Sequence, residues 1–154
     1  MSVHGEKAYQ AFLKGYNCSQ SVAVAFAPEM GLTEDQALRM SAGFGGGMGR
    51  LREVCGAFSG MVFVLSTLYG SNDPAQKTAL YTEVQALAAQ YREQNGGNSI
   101  VCRELLGLSK PEGSPVASPR TPEYYKKRPC PQLVRLAADL MEQYIDAHPL
   151  PAQS

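Results

Sequence analysis

With 154 residues, 44% of them hydrophobic, the chain is long enough to bury one core and too short for two independent ones. Fourteen Lys and Arg balance fourteen Asp and Glu, so no net field steers it onto nucleic acid or an anionic membrane, and neither is an expected partner. The opening MSVHGEKAYQ has no apolar stretch of the kind a secretory signal needs, so the expected location is cytoplasmic. Thiols are kept reduced there, and four cysteines then point to redox or metal chemistry before static cross-links.

In chain order, Ala8, Phe12 and Leu13 share a face, and 6–14 reads as a short amphipathic helix stopped at Gly15. Asn17 is a good N-cap for a second helix that opens with Cys18-Ser19-Gln20-Ser21, continues through the apolar 22–26, and is punctuated by Pro28 and Gly31. Thr33-Glu34-Asp35-Gln36 has the form of a capping box and predicts a third helix to about Ser41. Glycine at 43, 45, 46, 47 and 49 then requires a loop, because residues without a Cβ suit positive φ and close backbone approach.

The stretch from Val54 to Tyr69 is apolar nearly throughout and predicts the most buried helix of the chain. It has fewer residues than the roughly 20 that a bilayer demands, and it contains Ser59, Ser66 and Thr67, which argues against a membrane span. Gly56 and Gly60 lie four apart on one face, where they serve close helix packing more readily than a cofactor groove. Beyond it, Asp73-Pro74 caps a helix carrying Leu80, Val84, Leu87, Ala88 and Tyr91 at helical spacing, up to Asn95-Gly96-Gly97.

A short helix around Cys102, capped by Asn98 or Ser99, stops at Gly107. From 108 to 129 the sequence is rich in proline and polar residues, which predicts an extended internal loop, the most mobile of the chain. Pro131 opens a last helix whose Leu133, Leu136, Ala137, Leu140, Met141 and Tyr144 form one apolar face. No segment alternates with period two. The expected fold is therefore all-α: one domain over 1–154, a bundle of about six or seven helices around a buried central helix.

The chemistry lies in the placement of the cysteines. Cys18, Cys55, Cys102 and Cys130 each fall at or just before a predicted helix start, where free N–H groups and the positive end of the macrodipole favour a thiolate. Arg50 and Arg52 precede Cys55, Arg103 follows Cys102, and Lys126, Lys127 and Arg128 precede Cys130, adding positive charge nearby. Glu53 and Glu104 are neighbouring proton acceptors. A single cysteine so placed is ordinarily a small buried residue, but four with one placement argue for shared chemistry. The glycine loop lacks the Lys-Ser or Lys-Thr of a phosphate-binding loop, and there is no CxxCH for haem. His4 and His148, near the ends, are expected to be exposed bystanders.

Gly15-Tyr16-Asn17-Cys18-Ser19-Gln20, then Cys55-Gly56-Ala57-Phe58-Ser59-Gly60, then single cysteines at 102 and 130, closely resemble the C_GCAxxG_C_C family, small proteins regarded as redox-active from their four cysteines. The resemblance spans Gly15 to Cys130. A more distant similarity, to the cysteine-bearing part of split-Soret cytochromes c, does not carry haem over, because the attachment motif is missing.

Two chemistries follow, and a third reading has none. In the first, a low-pKa thiol attacks a disulfide of a small thiol compound or a redox partner protein, and a second thiol resolves the product. Cys55 is the expected nucleophile, with Cys18, Cys102 and Cys130 as resolvers and Gly45, Gly46, Gly47, Gly56 and Gly60 admitting a partner or cofactor. In the second, Cys18, Cys55, Cys102 and Cys130 bind zinc or an iron–sulfur cluster, although singly scattered cysteines depart from the paired spacings such sites use. In the third, a helical module docks a partner through its Pro-rich loop or an exposed Tyr124-Tyr125. The first two require the four sulfurs to converge beside the glycine loop, as pairs for thiol exchange or as a tetrad for a metal.

Overall fold

The computed structural model describes residues 2–108 and 113–150. Among them the chain is an all-α single domain of nine helices: α1 (Val3–Leu13), α2 (Cys18–Ala25), α3 (Ala27–Met30), α4 (Glu34–Ser41), α5 (Gly56–Tyr69), α6 (Lys77–Gln94), α7 (Cys102–Leu105), α8 (Pro122–Lys127) and α9 (Cys130–Ala147). Two short 3-10 turns, Ala42–Phe44 and Pro74–Gln76, complete the helical content. Nine exceeds the expected six or seven because α3 and α8 are single-turn pieces that periodicity cannot register.

Local chemistry sets most of the boundaries. Asn17 and Gln20 form a reciprocal capping box on α2, and Thr33 and Gln36 form another on α4, each satisfying two orphan donors at a helix start. The first helix begins earlier than the expected residue 6, because the Ser2 hydroxyl accepts from the Gly5 amide at 2.8 Å and caps it. Gly31, left-handed at φ 69°, ends α3.

Helix α2 packs between α1 and α5, and α9 lies against α1, α2 and α5, with α6 closing the far side. Their shared core includes Phe12, Val22, Phe26, Met61, Val64, Leu65, Leu87, Tyr91, Leu140 and Met141. Gly60 sets the spacing of α2 and α5: a Cβ there would stand 2.8 Å from the Ser19 carbonyl oxygen and 3.0 Å from the Val22 Cβ. The expectation that Val54–Tyr69 is the most buried helix needs correction. Helix α5 starts two residues later than Val54 and leaves Ser66 and Thr67 in solvent, whereas the shorter α2 buries Ser19, Ser21, Val22, Ala23 and Ala25.

Three further expectations change. Within the Pro-rich 108–129, residues 109–112 lie outside the described residues, and Pro122–Lys127 is helical, with Pro122 in its first turn and the Thr121 hydroxyl as cap. Tyr124 and Tyr125 are not an exposed pair: both are half-buried and pack against Phe12, with ring centroids at 6.4 and 6.1 Å. His4 is no bystander either. It stacks on Phe26 at 4.2 Å and bonds to Glu29 and Glu142, tying α1 to α3 and α9, while His148 is exposed as expected. Among the described residues, no helix is long and apolar enough to cross a membrane.

Candidate thiol site

The glycine stretch builds one wall of the site. Gly46 and Gly47, at φ 66° and 68°, are left-handed, which is why Gly45–Met48 is a loop and not a helical turn. The left-handed run continues through Met48 at φ 71°, Gly49 at 54° and Arg50 at 65°, and Arg52 returns to it at 59°. Three side-chain-bearing residues in this region each cost on the order of 1 kcal/mol or more, a cost seen where surrounding structure imposes the backbone. Here the run is fixed by Gly49, Arg52 and Glu53 amides donating to the Gly43, Gly46 and Gly47 carbonyls at 2.9, 3.2 and 2.9 Å. Gly47 has no alternative in sequence: a Cβ would lie 2.6 Å from the Cys102 Cβ and 2.7 Å from the Glu53 nitrogen.

A single antiparallel bridge, Val54 to Val101, positions the next two cysteines. The Cys55 amide donates to the Ile100 carbonyl at 2.7 Å, and the Cys102 amide to the Glu53 carbonyl at 2.6 Å, so each is pinned immediately before or at the start of its helix. Cys18 is the first residue of α2 after the Asn17 cap, and Cys130 the first of α9. All four cysteines are reduced, and all four line one cavity of about 250 Å³ together with Gly45, Gly46, Gly47 and Gly56. Gly60 does not line it; its place is the α2–α5 contact. Gly56 serves both, since its Cβ would approach the Cys18 Cβ to 3.1 Å and the Gly45 Cα to 3.2 Å.

Within the cavity the four sulfurs have different partners. Cys18 and Cys130 act chiefly on each other, each thiol being the largest influence on the other's ionisation. The Cys18 thiol lowers the Cys130 thiol below the ordinary range against the opposing effect of burial, helped by the charges of Arg128, Arg52 and Arg120; the Cys130 thiol, with burial, raises Cys18 well above it. Cys55 lies 3.2 Å from the Tyr91 hydroxyl, and burial pushes its thiol up despite that bond. Burial also raises Cys102, although the Arg52 guanidinium stands 3.6 Å from its sulfur and works the other way. Arg52 itself is buried.

The arginines expected beside Cys55 are therefore distributed differently, Arg52 to Cys102 and Cys130, because the left-handed turn swings the chain across the bridge. Arg50 reaches the Ser114 carbonyl at 3.3 Å and the Ser118 hydroxyl at 3.5 Å. The acids do not serve the sulfurs: Glu53 pairs with Arg103 at 3.1 Å, and Glu104 accepts from the Ser99 hydroxyl. Three contributors escaped the sequence reading. Tyr91 was legible only as a helix-face residue, and Arg120 and Tyr124 only as parts of a loop, yet Arg120 and Tyr124 line the cavity. Among the described residues, no group of three or more Cys, His, Asp or Glu is placed to hold one metal ion. Cys55 and Cys102 thus have partners other than sulfur, Tyr91 and Arg52, while Cys18 and Cys130 act chiefly on each other.

Fold and site together define a small all-helical protein with four helix-start cysteines around a glycine-walled cavity. The family model described as "Putative redox-active protein (C_GCAxxG_C_C)" matches residues 16–144, and the chain belongs to that family. Neither a curated protein nor a solved structure matches it.

Proposed function

We propose that this protein carries out thiol–disulfide exchange through a working couple of Cys130 and Cys18. The observation that carries the reading is that both cysteines line one cavity and act chiefly on each other, with the Cys130 thiol lowered and the Cys18 thiol raised. One sulfur is thereby ready as a thiolate and its neighbour holds the proton, the division of labour that a two-step exchange needs. This moves the nucleophile from Cys55, whose burial works against ionisation, to Cys130.

In the first step the Cys130 thiolate attacks a disulfide RSSR, forming Cys130–S–S–R and releasing RS⁻. In the second, Cys18 attacks the Cys130 sulfur, the S–S bond of the mixed disulfide breaks as the Cys18–Cys130 disulfide forms, and the Cys18 proton ends on the second RS⁻. Two protein thiols are oxidised to one disulfide, and one substrate disulfide is reduced to two thiols. The opposite shifts of Cys18 and Cys130, with Cys55 and Cys102 held by other partners, favour this chemistry over a shared zinc or iron–sulfur site, which would take all four sulfurs.

The test is a thiol count on anaerobically purified protein before and after equilibration with 2-hydroxyethyl disulfide, alongside metal analysis. Two of the four thiols should be lost. Loss of none, or stoichiometric zinc or iron protecting all four, would overturn the reading.

A further inference from the structure

Resting on that exchange reading, we infer that Arg120 is a positioning residue for the couple: it holds the segment leading into Cys18 against the segment leading into Cys130. Its guanidinium donates to the Phe12 carbonyl and to the Tyr16 carbonyl, each at 2.8 Å. Phe12 is in the last turn of α1, where a cation is favoured, its carbonyl also accepting from the Gly15 amide at 3.1 Å, and Tyr16 stands two residues before Cys18. On its other side the same group sits over the Phe12 ring at 4.2 Å and the Tyr124 ring at 5.0 Å, and Tyr125 lies at 5.9 Å.

Tyr124 and Tyr125 belong to α8, and only Arg128 and Pro129 separate its end from Cys130. The Tyr125 hydroxyl returns a bond to the Leu13 carbonyl at 3.3 Å, so α8 also touches the end of α1 directly. Cys18 and Cys130 are more than a hundred residues apart in sequence, and their approach depends on how the α1–α2 turn meets α8. Arg120 occupies that meeting point with two directed hydrogen bonds and a stacked face. Only a planar fork does both at once; a lysine ammonium keeps the charge but not the geometry.

Position matters most in the second step, when Cys18 must attack the Cys130 sulfur in line with the departing thiolate. A misplacement of about 1 Å there costs up to roughly a hundredfold in rate. The first step asks only that an incoming disulfide reach Cys130.

The two steps separate in the reaction with 5,5′-dithiobis(2-nitrobenzoate), which releases one coloured thiolate on attack and a second on resolution. In Arg120→Lys the first release should stay within about threefold of the unsubstituted protein, while the second slows about tenfold or more. Arg120→Gln should show the same slow second release with a slower first one, since the charge that favours the Cys130 thiolate is also gone. Alkylation of Cys55 is the control for general loosening and should remain slow in both variants. A second release as fast in both variants as in the unsubstituted protein overturns the inference, as does a slow second release accompanied by fast Cys55 alkylation. A single release from the unsubstituted protein would instead sink the exchange reading itself.

Discussion

At the scale of single residues, the four thiols are separated by their partners and not by their depth. Cys130 should therefore be alkylated fastest near neutral pH, with the inflection of its rate–pH profile below that of an ordinary thiol. Cys18 is the largest contributor to that lowering, so Cys18→Ala should move the inflection upward, and Arg128→Gln should move it the same way by less. Iodoacetamide rates at each cysteine, resolved by peptide mass spectrometry across pH, check both; an unmoved inflection in Cys18→Ala would contradict the influence of Cys18 on Cys130. At Cys55, burial raises the thiol and the Tyr91 hydroxyl opposes it, so Tyr91→Phe should push the thiol higher and slow its alkylation. The four cysteines and their helix starts were legible because N-caps and turn residues are local signals. Which cysteine meets which cation was not, since Arg52 reaches Cys102 only after a left-handed turn that no propensity describes.

At the scale of elements, glycine decides how closely parts of the site approach. Alanine at Gly60 gains up to about 1 kcal/mol in helix propensity. Its Cβ, however, would stand 2.8 Å from a backbone carbonyl on α2, which cannot give way as a flexible side chain can. The clash should win: Gly60→Ala is expected to lose about 1–3 kcal/mol in denaturant unfolding, the range for overpacking. Gly113→Ala, with nothing within 4 Å, is the neutral control. Gly47→Ala meets both a positive φ and backbone at 2.7 Å, and should also release Cys102 to faster alkylation. The sequence showed Gly56 and Gly60 as one face of a helix, and that holds. It could not show that Gly56 serves both the cavity and packing while Gly60 serves packing alone, because that depends on where α2 crosses. The single Val54–Val101 bridge was equally invisible, being too short for any period-two signal.

For the whole molecule, the all-α class was legible because caps, glycines and apolar faces agree from end to end. Helix α8 and the seat of Tyr124 and Tyr125 were hidden in a Pro-rich segment, because Arg120 and Tyr124 are placed by their packing on Phe12, a distant residue that local composition does not reveal. The buried site also gives the fold a pH dependence. Cys18, Cys55, Cys102 and Tyr91 all hold their protons more firmly folded than unfolded. Their contribution is complete below the unfolded value, about 8.5 for the thiols and about 10 for Tyr91, and is lost as pH climbs through the raised folded values. Cys130 has the opposite sign: its contribution is present above the unfolded value and fades as pH falls through the lowered folded one. With four groups against one, the Tm of the reduced protein should fall steadily above about pH 8.5. A Tm that is flat or rises over that range would contradict the burial of these groups. Closing Cys18 to Cys130 joins distant parts of the chain and should add about 2–4 kcal/mol to stability.

The central claim is the identity of the couple, and the most direct measurement is peptide mapping of the disulfide formed under limited oxidation. Reduced protein is equilibrated with a glutathione redox buffer, trapped with acid and an alkylating agent, and digested without reductant. The account predicts a fragment joining the Cys18 and Cys130 peptides as the first disulfide to appear, with Cys55 and Cys102 recovered alkylated. A first disulfide between Cys55 and Cys102, or one joining either of them to Cys130 while Cys18 remains free, would contradict it.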